Sequence, residues 1–315
     1  MNFVFVMDPL STVIMEKDTS FILMLGAHRR GQAVYFVGDG GILLKDGGLE
    51  FHAVPVVPQV DPQKPFIERK KEVLTPEKID CVFIRSDPPF DYQYLVNTWL
   101  LDRLPHHIPV INSPSGIRTV NEKIWATRFQ EITPRTLIGQ RREDLFSFLA
   151  EEKDVVVKPT DGFGGSSVFR VRIEDKNAKV ILETATHRFS RDVILQKHLP
   201  ESEKGDKRIL LLDGEILGAV LRVHAPDDHR NNFFAGGKPF SAEINAEDRR
   251  IVSTLKPELQ RLGLVFVGID VIGGRLIEVN VTSPTGLQEM NRLYQKTLED
   301  QVMDFAEKLV QSTCP

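Results

Sequence analysis

The sequence predicts an α/β fold in its first third and an α+β fold after it. Three observations carry that expectation. The chain opens β–α–β: Asn2–Met7 is a continuous apolar run, Ser20–Arg30 suits a helix, and Ala33–Val37 is apolar again. Continuous apolar runs are strands buried on both faces, as in a parallel sheet. Polar turns then recur at the ends of apolar runs, at Ser86–Asp91 and at Asn112-Ser113-Pro114, where ligands bind in open α/β sheets. Past about residue 121 the strands shorten and glycine-containing turns join them, which marks antiparallel pairing.

The elements follow in order. Gly31 ends the first helix as a glycine cap. Gly38–Pro65 is rich in Gly and Pro and reads as a hairpin followed by a long surface loop. Cys81–Arg85 and Pro109–Ile111 are strands, with a helix near Tyr92–Leu104 between them. Thr136–Ile138, Val155–Lys158, Ser167–Arg172 and Val193–Gln196 are short strands around helices at Arg142–Glu151 and Asp175–Ala185. Arg208–Leu212 and Ile216–Arg222 flank Asp213-Gly214, a strong hairpin signal. Ala225–Pro239 is long and polar and reads as a mobile lid. Asn245 caps a helix to Arg261, whose Ile251, Leu255, Leu259 and Leu262 form one apolar stripe. Val265–Ile272 and Leu276–Val281 form a last hairpin, and two helices close the chain.

Composition narrows the class of function. The 315 residues carry 40 Lys plus Arg and 44 Asp plus Glu, a net charge of −4. A slightly acidic chain has no global attraction for nucleic acid or an anionic bilayer. Hydrophobic residues at 41% and charged residues at 27% are ordinary for a globular protein. Two cysteines, Cys81 and Cys314, exclude a disulfide scaffold and a cysteine-rich zinc module. The opening MNFVFVMDPL is too short for a signal segment, and no run reaches the ~18 apolar residues of a membrane helix. A cytoplasmic, multidomain enzyme is the expectation.

Several residue groups can carry chemistry. Lys158-Pro159-Thr160-Asp161-Gly162-Phe163-Gly164-Gly165-Ser166-Ser167 places glycines between two strands. Successive N–H groups in such a loop make an anion nest. It lacks the Gly-Lys-Ser/Thr of a Walker loop, and strands rather than a helix flank it. It is either a phosphate flap or a plain glycine-rich hairpin. Lys158 ends the strand before it and suits a phosphate. Lys123, taken singly, reads as a surface cation. Arg222 ends a strand before the lid, which holds Arg230, Asn231 and Asn232. Such an arginine stabilises a transferring phosphoryl group or simply forms a salt bridge.

Asp270, Glu278 and Asn280 lie inside apolar strands, where ionised carboxylates are rare unless paired or bound to metal. Glu278 and Asn280 share a sheet face. A three-residue loop, Gly273-Gly274-Arg275, would pair Asp270 with Glu278, whereas a two-residue loop would place it opposite Ile277. The three-residue loop is therefore predicted. The resulting oxygen set suits Mg²⁺ bound with phosphate. Ser283-Pro284-Thr285-Gly286 after this strand suits a substrate carboxylate or ordinary helix capping. No Gly-x-Ser-x-Gly elbow or zinc spacing of histidines occurs. Cys81 reads as a core residue, and Arg69-Lys70-Lys71 as a solvated face.

Together the segments MDP…KDTSF…RRG, RSDPPFD, NSP…NEK, VVKPTDGFGGSSVFRV, LQKHLP…GDKRILLLDGE, HRNNFFAGG and GLVFVGIDVIGGRLIEVNVTSPTG resemble the ATP-grasp superfamily. They look most like its prokaryotic glutathione synthetase family. The resemblance implies an N-terminal substrate-binding domain of the preATP-grasp type (1–120), a central lid subdomain (121–200) and a C-terminal catalytic subdomain (201–315). The last two make the ATP-grasp fold. It implies ATP contacts at Lys123, Lys158, Gly162, Phe163, Gly164, Gly165, Ser166, Ser167, Gln196, Lys197, His198, Leu199, Asp206 and Asn232. Lys158, Arg208 and Arg222 would act in catalysis. Asp18, Ser20, Arg85, Asp87, Ser283, Thr285 and Gly286 would meet the substrates. Asp270, Glu278 and Asn280 would hold two Mg²⁺, with Mn²⁺ as the alternative. The implied reaction joins γ-glutamylcysteine to glycine through an acyl phosphate, with a homodimer or homotetramer as the assembly. Another ATP-grasp carboxylate–amine ligase, or a silent ATP-binding module, is the rival. The chain departs from the family at Lys197-His198, where Asn-Tyr is usual, at Pro226-Asp227-Asp228, and at Leu287.

Overall fold

The computed structural model describes residues 1–162, 164–224 and 236–313. The predicted β–α–β opening is present as β1 (Asn2–Val6), α1 (Thr19–Arg29) and β2 (Ala33–Val37), with β1 and β2 parallel. Asp18 rather than Ser20 starts the helix, because its carboxylate accepts the Phe21 N–H at 2.7 Å.

The hairpin expected after β2 is present, and the long surface loop expected after it is a correction. β3 (Ile42–Lys45) and the eleven-residue β4 (Gly48–Pro58) form a hairpin, and β4 pairs antiparallel with β2. Short strands β5 (Phe66–Glu68) and β6 (Glu72–Leu74) pair with it too. Pro55 and Pro58 argue against a strand in sequence. Here burial on alternate positions of β4 outweighs them.

β7 (Cys81–Ile84), α2 (Tyr92–Leu101), β8 (Val110–Ile111) and α3 (Pro114–Thr119) complete the first unit. Among the described residues its sheet runs β3-β4-β2-β1-β7-β8, with the β2 to β8 portion parallel. Phe5 stacks on Phe83 in its core, with ring centroids 4.7 Å apart.

The second sheet, order β11-β10-β12-β9, is antiparallel. Its strands are β9 (Thr136–Gly139), β10 (Asp154–Pro159), β11 (Phe169–Arg172) and β12 (Val193–Lys197). α4 (Arg142–Glu152) and α5 (Ala178–Ala185) pack on it, and Leu145, Leu149, Val155, Val171 and Leu182 are buried between.

The third sheet runs β15-β14-β13-β16-β17 and is antiparallel throughout. It consists of β13 (Asp206–Leu212), β14 (Glu215–Val223), β15 (Lys238–Ser241), β16 (Phe266–Ile272) and β17 (Arg275–Asn280). α6 (Ala246–Arg261) covers one face, and its stripe Ile251, Leu255 and Leu259 is buried. Asn245 and Asp248 form a reciprocal capping box at its start.

α7 (Leu287–Tyr294) and α8 (Leu298–Thr313) end the chain. α8 returns to the first unit, where Arg30 bonds Glu307 at 2.9 Å and also meets Asp304. No helix among the described residues is long and apolar enough to cross a membrane.

Candidate active site

The third sheet carries a row of charge on one face. Asp206 stands opposite Arg222, Arg208 opposite Asp270, and Asp270 opposite Glu278. The first two pairs place acid against base in register, whereas Asp270 and Glu278 set two acids side by side. Arg222 bonds Asp206 at 2.6 and 2.7 Å and reaches Asp270 at 3.0 Å. Arg208 grips the same Asp270 at 2.6 and 3.0 Å. Bidentate guanidinium–carboxylate bonds are the strong, direction-setting kind. Gly268 faces Asn280 in this row, and a Cβ there would sit 3.3 Å from Arg208 Cδ, so the glycine leaves room for that arginine.

The Asp270–Glu278 pairing is as predicted, but the predicted three-residue loop is wrong. Arg275 pairs with Ile272, so the turn is the two-residue Gly273-Gly274, with φ of 54° and 71°. A bulge after Asp270 leaves Ile277 as the extra residue and restores the register. The same device occurs in the β13–β14 hairpin, where a bulge follows the two-residue Asp213-Gly214 turn.

A cavity of about 220 Å³ lies over this face. Lys158, Gly162, Gly164, Gly165 and Ser166 line it from the second sheet's side, with Asp206, Arg208, Arg222, Asp270, Glu278 and Asn280 opposite. Ser167 is absent from its wall, with φ at 57°. Gly164 and Gly165 have φ of 62° and 75°, the left-handed region that glycine tolerates. Phe163, Arg230, Asn231 and Asn232 lie outside the described residues, as does most of the predicted lid.

Lys123 is not the solvated cation its sequence setting suggests. Its ammonium bonds Glu278 at 2.9 Å and also the Gly162 carbonyl, and the side chain is 13% exposed. Burial works against its charge, but Glu278 outweighs it and raises Lys123 above its ordinary value. Lys158 donates to Gln196 at 2.8 Å, and burial pushes it down to about 8. Burial would also raise Asp270, yet Arg208 and Arg222 hold it below the carboxylate range.

A second cavity of about 130 Å³ adjoins the first and shares Lys158, Val168, Asp206 and Ile277 with it. Gln196, Lys197, His198 and Leu199 line it. His198 is buried, 3.2 Å from Ser202 Oγ and 3.6 Å from Asp154, and burial followed by the Arg170 charge lowers it. Lys197 sends its ammonium 3.3 Å away to Glu152.

The predicted substrate residues divide into two groups. Asp87, Ser283 and Thr285 are on the wall of the larger cavity. Asp18, Ser20 and Arg85 stand behind it: Arg85 is buried and donates to Ser20 Oγ at 3.0 Å and to the Pro284 carbonyl at 3.1 Å. Burial lowers Arg85 and raises Asp18 and Asp87. Gly286 precedes α7 with φ of 116°.

Three residues at the site had no role assigned from sequence. Glu122 bonds the end of β17 and lines the cavity. Asp8 accepts the Asp87 N–H at 2.7 Å. Asn112 is buried and spans units, donating to Phe266 and Val281 carbonyls at 2.8 Å each and accepting the Phe266 N–H at 2.7 Å. The motifs MDP, NSP and NEK contain all three, but spacing along the chain gives no sign of these partners.

The oxygens of Asp270, Glu278 and Asn280 share one face beside the phosphate-binding candidates, which fits a hard divalent cation that keeps phosphate ligands. Glu278 commits one oxygen to Lys123, and its other accepts no hydrogen bond from a described residue.

Residues 1–118 match the family described as prokaryotic glutathione synthetase, N-terminal domain, and residues 122–295 match its ATP-grasp domain. The glutathione synthetase of Pseudomonas aeruginosa is 37% identical over 301 residues, 95% of each chain. That of Vibrio parahaemolyticus is 36% identical over 307 residues, 97% of each. Among solved structures, the ATP-grasp ligase PsnB with a minimal precursor superposes at TM-score 0.66 and 16% identity, covering 97% of this chain and 98% of that one. D-cycloserine synthetase DcsG superposes at 0.66 and 17% identity, covering 98% and 100%. At that identity these two support the fold alone. An ATP-grasp fold implies use of ATP with a divalent metal. The full-length identity goes further: this chain belongs to the prokaryotic glutathione synthetase family.

Proposed function

We propose that this protein joins γ-glutamylcysteine and glycine into glutathione, converting ATP to ADP and phosphate. The observation that carries the reading is the charge row Asp206–Arg222–Asp270–Arg208 facing Lys123 and Lys158 across one cavity. A carboxylate and an amine do not condense readily in water, because the leaving group is poor. Transfer of the γ-phosphoryl group to the cysteinyl carboxylate supplies one. The amine of glycine then attacks the carbonyl carbon, phosphate departs with the C–O bonding pair, and the amine releases its proton.

Each side chain has a part in this reading. Lys158 and Lys123 hold phosphate, with Gly162–Ser167 as a flap above. Arg208 and Arg222 oppose the charge that develops on the transferring group. The smaller cavity, with Gln196, Lys197, His198 and Leu199, takes the adenine side, and Asp206 lies between base and phosphates. Asp87, Ser283 and Thr285 meet the peptide, while Asp18, Ser20 and Arg85 brace them from behind and Gly286 opens α7. Asp270, Glu278 and Asn280 would hold two Mg²⁺, which neutralise phosphate charge when bound. No nucleophile is required of the protein, so catalysis is positioning plus electrostatics. A cytoplasmic homodimer or homotetramer acting on these small molecules completes the proposal.

The test is phosphate release over a panel of peptides and amines. Release that requires both γ-glutamylcysteine and glycine is expected. Faster release with a different pair would make it another ligase, and nucleotide binding without release would make it a silent module.

A further inference from the structure

The motif Asn121-Glu122-Lys123 contributes more than its lysine. The Glu122 carboxylate spends one oxygen, Oε1, on three donors: Val281 N at 2.8 Å, Thr282 N at 3.0 Å and Thr282 Oγ1 at 2.9 Å. Its backbone carbonyl accepts the Val279 N–H at 2.9 Å. Glu122 therefore runs beside β17 and keeps the pairing going after the strand ends at Asn280. The neighbours extend the stitch, because Asn121 Nδ2 donates to the Thr160 carbonyl at 3.0 Å and Lys123 reaches Glu278 and Gly162. One tripeptide thus ties the glycine flap to the metal-site strand.

What lies just past Thr282 makes this consequential. The segment Ser283–Gly286 has no helix or strand to hold it. Its Pro284 carbonyl takes Arg85 at 3.1 Å, and its Thr285 carbonyl takes Arg208 at 3.2 Å. The turn is where the first unit's buried arginine and the charge row's arginine converge. A turn without regular structure needs an anchor at its root, and the three bonds of Glu122 sit at that root. Retaining a carboxylate there is unfavourable in itself, since burial and then Glu278 raise it above its ordinary value.

We infer that Glu122 is a positioning residue that fixes the Thr282–Gly286 turn against the cavity, and that it acts on the peptide substrate rather than on ATP. This rests on the function proposed above. A displacement of about 1 Å at a substrate-positioning group costs roughly 10²-fold in rate. Glu122→Ala should therefore raise KM for γ-glutamylcysteine and lower kcat, by about tenfold or more in kcat/KM, with Kd for ADP nearly unchanged. Glu122→Gln keeps an oxygen for the same three donors and should restore most of the activity. Thr282→Val deletes a single donor and should move the same parameters the same way by a few-fold, which covers the event that Glu122→Ala does not fold.

Amide hydrogen exchange supplies a readout independent of turnover. The amides of Thr282, Ser283, Thr285 and Gly286 should exchange faster in Glu122→Ala than in wild type or Glu122→Gln, with the amides of β16 unchanged. Equal losses of ADP and peptide affinity, or failure of Glu122→Gln to rescue, would overturn the positioning role. So would unchanged exchange in the turn. If wild type releases no phosphate with γ-glutamylcysteine and glycine, the proposed function fails, and the exchange experiment still decides the inference.

Discussion

Replacing Asp270 by Asn tests the charge row at its centre. Asp270 is 7% exposed and receives three guanidinium bonds, two from Arg208 and one from Arg222. Asn removes the negative charge and turns an NH₂ donor toward a donor. Arg222 keeps Asp206, while Arg208 keeps the Thr285 carbonyl at 3.2 Å and one amide oxygen in place of a bidentate carboxylate. Breaking one side of a buried pair costs about 3–5 kcal/mol, and the surviving amide oxygen places this change near about 3. At about 2–4 °C per kcal/mol for units of this size, Tm should fall by roughly 6–12 °C. Turnover should fall further than stability implies, by about 10²–10³-fold in kcat, as when one preorganised electrostatic group is lost. Nucleotide Kd should change by less than about tenfold, or 1.4 kcal/mol. Phosphate release, differential scanning calorimetry and titration with ADP read the three quantities separately. A variant with wild-type kcat would refute the reasoning, because the carboxylate would then neither orient the arginines nor serve the metal.

Other expectations follow from single groups. Lys158 is lowered to about 8 from 10.5, so the unliganded enzyme should lose the phosphate-binding charge as pH rises through about 8, and kcat/KM for ATP should decline above it. The stability effect has the opposite sense: between about 8 and 10.5 the unfolded chain binds more protons at this lysine, so its contribution to stability increases with pH, and Lys158→Met should flatten that slope in denaturant titrations. Cys81 is wholly buried, with its thiol raised by burial, so iodoacetamide should leave it unmodified in the native protein and Cys81→Ala should keep kcat. Asn112→Ala strands three buried backbone partners at about 1 kcal/mol or more each, so denaturant unfolding should show a loss of roughly 3 kcal/mol, with Asn112→Asp recovering only the Phe266 N–H bond.

Much of the fold was readable because local signals agreed with it. The Asp-Gly turn, the Asn245 cap and the Ile251, Leu255 and Leu259 stripe of α6 each stand where local signals put them. β4 was hidden because Pro55 and Pro58 are local signals against a strand, while the pairing that overrides them comes from β2 and β5, which nothing local reveals. The acids Asp270 and Glu278 were found because carboxylates inside apolar runs are conspicuous. Glu122 was not, because it sits in a polar loop where glutamate is ordinary. Its partners, Val281 and Thr282, are more than 150 residues away along the chain. The bulges are the subtler case. In both hairpins a two-residue turn alone would set the charged residues one position out of register. One inserted residue in each corrects it, and sequence periodicity cannot show which residue is extra.

On the proposed site assignment, the electrostatics give a reason for ATP and a divalent cation to bind together. Arg222 and Arg208 already hold Asp206 and Asp270, and Lys123 already holds Glu278. The cavity is thus a set of neutralised pairs rather than a bare cationic patch, which is consistent with a chain whose net charge is −4. A triphosphate entering alone would claim the arginines and lysines and leave Asp270 and Glu278 beside added negative charge in a buried place. A cation entering alone would claim the carboxylates and leave buried guanidinium groups uncompensated. Either exchange by itself incurs the penalty of an unpaired buried charge. On the proposed assignment, phosphates taken up together with a cation would replace Asp270 as partner of the arginines, and Asp270 and Glu278 would be left to hold the cation. Asp270 and Glu278 would then keep a compensating charge, and on that assignment joint uptake of ATP and a divalent cation would follow from the pairing of these six side chains.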